Sequence, residues 1–223
     1  MNKPVAWSYT SLTAFETCPF RYYVTRVSKE VIEPPNETTI WGNEVHKAFE
    51  LHVKDAKPMP ASMEKWAPLA AKLRMTPGEK LVEQKLCINR DFKPTSWFAK
   101  DAWCRGVVDL AVRKDHEKIV AFDYKTGKHK PDSHQMQLFA GLMFAHYPAA
   151  QVVDTAFIWL KDNKTDQERY TRDDVPVIWQ EFVPRVQRVE EAHVANRWPK
   201  KPSGLCRAWC PVGKKRCEHC GKD

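Results

Sequence analysis

Hydrophobic positions change their spacing several times along this chain, and each change marks an element. Leu12 and Phe15 stand at helical spacing behind Ser8 and Thr10, a capped helix start that Pro19 interrupts before a second helical piece, Phe20 to Val27. After the Glu33-Pro34-Pro35-Asn36 loop, Val45, Ala48, Phe49 and Val53 form one stripe of an amphipathic helix over 40–54. Residues 55–79 hold Pro58, Pro60, Pro68 and Pro77 around a short helical stretch with Trp66, Leu69 and Leu73, a variable insertion able to shape or cover a groove. Alternation replaces helical spacing at 81–88, with Val82, Leu86 and Ile88 on one face and Glu83 on the other. A polar turn with Pro94 then leads into a strand region over 97–112.

The strongest pattern follows. Residues 106–112 and 119–127 are rich in β-branched and aromatic side chains and flank the polar Asp115-His116-Glu117-Lys118, which predicts two antiparallel strands and a short turn. A hairpin symmetric about His116 sets Asp109 opposite Asp123, with Cβ atoms about 4.5–5.5 Å apart, and the period of two puts Lys125 beside Asp123. Opposed carboxylates on a half-buried sheet are destabilising unless a cation or proton offsets them. The plainer reading leaves both acids at strand ends in water, with Lys125 as an ordinary surface bridge. Gly127-Lys128-His129-Lys130-Pro131 leaves the hairpin as a basic loop, and Asp132 or Ser133 caps a helix whose stripe is Met136, Phe139, Met143, Phe144 and Tyr147. Gln135 lies beside that stripe, close enough to the helix start for its amide to reach toward Lys125. An apolar strand (152–160), a turn (162–166), a strand (168–172) and a helix opening at Asp173-Asp174-Val175-Pro176 complete the order. Ile178, Phe182, Val186 and Val189 form that helix's apolar face, and Pro184 is expected to kink it. The sum is an α/β chain with a mixed sheet flanked by helices.

Composition narrows the function classes. With 223 residues, 43% of them hydrophobic, the chain suits one domain with a real core. No run approaches the roughly 20 apolar residues of a membrane span, and no signal peptide follows Met1, so a soluble cytoplasmic protein is expected. A formal charge of +8 and a pI near 9.1 favour a polyanionic partner. Seven cysteines without an export signal point to metal rather than disulfides, with Cys87 and Cys104, inside apolar strands, as buried small hydrophobes. The tail 198–223 is too short and polar to build a core and requires a staple. Its Cys206, Cys210, Cys217 and Cys220 can close around a tetrahedral Zn2+; three of them with Cys18 can instead hold an iron-sulfur cluster.

Asp109, Asp123-Tyr124-Lys125 and Gln135, taken with Gly42 and His46 on an earlier helix, resemble the core of the PD-(D/E)XK nuclease superfamily. The similarity is to its RecB-like branch, which includes the AddB nuclease domain and CRISPR-associated RecB-like exonucleases, and it spans nearly the whole chain as one domain, 1–223. The Ser…Leu…Phe…Cys-Pro-Phe-Arg-Tyr string within 1–30 resembles the same group's N-terminal signature. One departure is Phe139, where such proteins carry a tyrosine four residues after the glutamine.

The resemblance implies a restriction-endonuclease-like fold and a metal-dependent DNA nuclease, an exonuclease serving recombination, repair or processing. It implies Mg2+ or Mn2+ on His46, Asp109, Asp123 and the Tyr124 carbonyl, catalysis by Lys125 supported by Gln135, and a 4Fe-4S cluster on Cys18, Cys206, Cys210 and Cys217. Arg21, Lys128 and Lys130 are candidate phosphate contacts, and a helicase or recombination protein is a candidate partner because the chain has no phosphate loop of its own. Phage encoding, with action in the host cytoplasm, fits as well. The competing class is a catalytically weak nucleic-acid-binding or partner-docking protein with the same tail.

Overall fold

Capping chemistry decides where the helices begin. In the computed structural model, which describes residues 6–130 and 134–221, Ser8 and Ser11 exchange backbone-to-hydroxyl hydrogen bonds of 3.3 and 2.8 Å and open α1 (Tyr9–Thr17). Cys18 is extended and ends that helix; Pro19, whose missing N–H is harmless in a first turn, opens α2 (Pro19–Tyr22), which runs into a π-helical turn, Tyr23–Val27. Asn36 accepts from the Thr39 N–H at 2.9 Å, so α3 (Glu37–Asp55) starts ahead of the position its apolar stripe predicts.

The chain divides into two compact units, Met1–Pro35 with Glu181–Asp223, and Asn36–Gln180. In the second, the proline-rich stretch belongs to the core. A 3-10 turn (Ala61–Trp66) and α4 (Ala67–Met75) bury Met63, Trp66, Ala70 and Leu73 with Val45, Phe49 and Val53 of α3, and the Trp66 indole donates to the Leu160 carbonyl at 3.2 Å.

Among the described residues one sheet forms, in the order β1 (Glu79–Ile88), β2 (Cys104–Arg113), β3 (Lys118–Lys125), β4 (Val152–Trp159), β5 (Lys164–Thr171). Every neighbouring pair is antiparallel except β3 and β4, whose parallel pairing follows the crossover through α5 (His134–His146). The hairpin register, Leu110 to Phe122 and Arg113 to Ile119, is the one symmetric about His116. Asp115 sets it by accepting the N–H groups of Glu117 and Lys118, each at 2.8 Å. The expected cap at Asp132 or Ser133 lies outside the described residues.

One expectation is corrected. The region read as strand from Trp97 folds into two turns, Ala99 N–H to the Ser96 carbonyl and Ala102 N–H to the Ala99 carbonyl, and β2 begins only at Cys104. Asp101 is the reason: its carboxylate holds the Thr95 hydroxyl at 2.9 Å and the Asn89 amide, which ties the segment back on itself. At Gly106 an added Cβ would stand 2.6 Å from Leu142 Cδ1, so glycine lets α5 lie directly against β2. The last long helix, α6 (Val175–Ala195), buries Ile178, Phe182, Val186 and Val189 and contains Pro184; a single turn, α7 (Cys206–Trp209), lies in the tail. Among the described residues no helix is long and apolar enough to cross a membrane.

Candidate functional site

The β2–β3 ladder stops where the acids begin. Leu110 pairs with Phe122, but the next opposed residues, Asp109 and Asp123, leave the ladder; the Asp109 side chain itself accepts the Tyr124 N–H, at 2.7 Å to Oδ2. A carboxylate thus replaces a rung, and the two strands part around it. The β1–β2 ladder is interrupted at the same level: Val82 pairs with Leu110 and Gln84 with Val108, while Glu83 between them has φ 50°. That left-handed conformation costs a side-chain-bearing residue on the order of 1–2 kcal/mol, and strain of this kind gathers at functional sites.

Three elements converge on the parting. His46 of α3 places Nδ1 3.0 Å from Asp109 Oδ1 and Nε2 2.8 Å from the Tyr124 carbonyl oxygen. Donor atoms of His46, Glu83 and Asp109 lie within 4.8 Å of one another. From β3, Lys125 Nζ is 2.6 Å from Asp123 Oδ2, and it donates to Gln135 Oε1 of α5 at 2.9 Å; the Gln135 amide donates in turn to Asp123 Oδ1 at 3.3 Å. The Lys125 ammonium also stands 4.5 Å from the Phe157 ring centroid.

The electrostatics agree with a cation-seeking site. Asp109 and Asp123 are 7% and 5% exposed. Burial, then the Asp109 charge, pushes the Asp123 carboxyl up to about 6 against the opposing pull of Lys125. Glu83 is raised by burial and by the Asp109 and Glu50 carboxylates. Burial of the His46 ring lowers its pKa, but the Asp109 hydrogen bond and charge, with Asp123 and the Tyr124 carbonyl, outweigh that, and the net shift is upward. The ring's two hydrogen bonds are complete only with both nitrogens protonated. The Lys125 ammonium already stands against the buried Asp123 carboxylate, and the oxygen-rich donor set with one imidazole, which must be neutral to take a metal, fits Mg2+ or Mn2+.

The residues singled out in the sequence, His46, Asp109, Asp123, Tyr124, Lys125 and Gln135, therefore lie together. Glu83, which alternation leaves undecided between an exposed strand face and the acidic patch, joins them. Lys128 and Lys130 are exposed on the loop after β3. That loop is pinned by His129, whose N–H donates to Asp162 at 2.6 Å and whose ring meets the Asp166 carboxylate at 2.9 Å. Arg21, in the other unit, pairs with Glu33 at 2.7 Å.

The cysteines fall into two groups. Cys87 and Cys104 are buried in β1 and β2. Cys18, Cys206, Cys210 and Cys217 line one pocket together with Phe20 and Lys200. Cys220 sits beside Cys210 and Cys217, and burial followed by those two thiols pushes its own thiol up to about 12. The apolar cluster under the tail is small, Val24, Val212, Cys217 and Cys220, with Phe20, Tyr23, Val31 and Cys210 against it.

A sequence model of the PD-(D/E)XK nuclease superfamily matches residues 6–218. Among solved structures, the protein designated SSO0001 is 14% identical, with a TM-score of 0.49 over 95% of this chain and 84% of its own. A candidate exonuclease from Eubacterium rectale is 11% identical, with a TM-score of 0.48 over 89% and 90%. No curated protein matches the chain in sequence.

Proposed function

This chain belongs to the PD-(D/E)XK nuclease superfamily, whose members are nucleases that use divalent metals, and from that premise we propose that it hydrolyses DNA phosphodiester bonds from an end, as a RecB-like exonuclease. The observation that carries the reading is the meeting of His46, Glu83, Asp109, Asp123, Lys125 and Gln135 where β2 and β3 part.

Asp109, Asp123, His46 and the Tyr124 carbonyl would hold Mg2+ or Mn2+, with Glu83 as a further oxygen donor. When bound, the ion acidifies water and offsets charge on the phosphate. The Lys125 ammonium pairs with Asp123 and donates to Gln135, and so held it would orient the attacking water or meet a phosphoryl oxygen as charge develops. Gln135 is a positioning residue, since it bridges Lys125 and Asp123 without a group of its own for the chemistry. Lys128 and Lys130 meet the phosphate backbone. Such an activity suits recombination, repair or end processing, with a motor protein as partner for any processive role.

The test is incubation of end-labelled single-stranded and duplex DNA with Mg2+, Mn2+ or EDTA. Either metal supports cleavage, EDTA stops it, and a ladder shortening from one end marks an exonuclease. A folded, metal-replete protein that cuts neither substrate is a binding module.

In the tail, a 4Fe-4S cluster on Cys18, Cys206, Cys210 and Cys217 is the proposed staple, supported by the pocket those four residues share. Zinc on the four tail cysteines is the second reading, favoured by the place of Cys220 beside Cys210 and Cys217. Anaerobically purified protein is expected to carry about four iron atoms per chain, to lose its visible absorbance with Cys18→Ser and to keep it with Cys220→Ser. Zinc in place of iron, lost with Cys220→Ser and kept with Cys18→Ser, reverses the assignment.

A further inference from the structure

Residues 85–105 form an arm that the catalytic reading leaves unused. The arm carries Lys85, Arg90, Lys93, Lys100 and Arg105 against two acids, Asp91 and Asp101, and Asp101 is engaged by Thr95 and Asn89. Lys85 is paired with Val107 and Cys87 with Arg105, which puts Lys85 and Arg105 on one face of the β1–β2 ladder. Gly106 looks the other way, toward Leu142 of α5.

On the cationic face the Trp97 ring takes both charges, Lys85 Nζ at 5.9 Å and the Arg105 guanidinium at 5.6 Å from its centroid. Arg105 Nε is buried and the guanidinium lies beside the Cys87 thiol, so the charge is held in place on this face. Beside Trp97, the Phe98 ring is 88% exposed. The arm that presents it is anchored by Phe92, which lies 5.7 Å from Trp103 and 4.7 Å from Trp179, ring centroid to centroid. An exposed phenyl ring on an anchored turn is a prepared contact surface.

Position relates the arm to the acidic centre. Lys85 follows Glu83 by two residues and Arg105 precedes Asp109 by four, so the cations stand about 7 and 13 Å along the strands from the acids. We propose that this arm is a track for single-stranded nucleic acid, leading one strand to the acidic centre: Lys85 and Arg105 take successive phosphates, and an unpaired base stacks on Phe98. The proposal rests on the nuclease reading for the identity of the centre. A single strand is the occupant because only unpaired bases expose the faces that a lone ring can stack on, whereas cations alone would serve either form.

The test is fluorescence anisotropy of a labelled oligothymidine strand and of a blunt duplex, in EDTA so that nothing is cut, over a salt titration. Phe98→Ala should weaken single-strand binding roughly tenfold and leave duplex binding as it was, because that ring is exposed and its loss does not threaten the fold. Lys85→Gln should reduce the single-strand salt slope by about 0.7. Lys65→Gln, which removes an equal charge lying over the Trp66 ring, should change neither. Native-like binding by both Phe98→Ala and Lys85→Gln, or equal weakening on strand and duplex, overturns the track. Strand binding by a protein that cuts nothing sinks the nuclease reading alone.

Discussion

Lys125→Ala is expected to lower kcat for DNA cleavage by about 100- to 1000-fold, the usual cost of one preorganised donor to a transition state. The ammonium is held from both sides, by Asp123 Oδ2 at 2.6 Å and Gln135 Oε1 at 2.9 Å, so it is in place before substrate arrives. Its removal leaves a buried carboxylate without its cation. Asp123 already has a pKa raised to about 6 by burial and Asp109, so it can take a proton rather than stay charged, and the fold survives. The effect should fall on kcat with little change in KM, because the interaction is made in the transition state. Steady-state kinetics with Mg2+, beside a thermal melt, decide the matter: near-native kcat in Lys125→Ala removes the lysine from the chemistry.

Asp109→Asn should separate ligand from scaffold. The native carboxylate has two duties, accepting the buried Tyr124 N–H through Oδ2 and facing His46 through Oδ1. An asparagine oxygen can still accept from Tyr124, and its amide can face a neutral His46, so the variant should melt close to the native protein. It lacks the charge, however, and its Mn2+ affinity, read by calorimetry, should fall by more than the roughly 10- to 100-fold typical of losing a supporting partner. Cleavage should be lost with it. Asp109→Ala abandons both duties and should be less stable than Asp109→Asn by about 1–3 kcal/mol, the cost of an unsatisfied buried N–H. Equal stability of the two variants would mean that the Tyr124 contact supports nothing; native-like Mn2+ binding in Asp109→Asn would remove Asp109 from the ligand set.

Much of this site could be read from residue order because the interactions that form it are local. The β2–β3 register follows from alternation on either side of a turn that Asp115 closes through its own neighbours, and that register alone aligns Asp109, Asp123 and Lys125. Gln135 is near in sequence and needs only the start of α5 to reach Lys125. The burial of Cys87 and Cys104 follows from apolar strands in the same way. Where local signals misled, a side chain overrode the pattern: Asp101 folded back the segment from Trp97 to Trp103, and Asn36 moved the start of α3.

Sequence by itself determined the elements, the hairpin and the pairing of two acids with a lysine, since capping, alternation and turn closure depend on residues a few positions apart. Tertiary structure alone decided what closes the site. His46 meets Asp109 across 63 positions, and Glu83 reaches the acids through a left-handed backbone that no periodicity encodes. Cys18 joins the tail cysteines around one pocket from the other end of the chain. Those contacts follow from the packing of distant elements onto one another, and that packing fixes which side chains share a space while residue spacing can only name those able to.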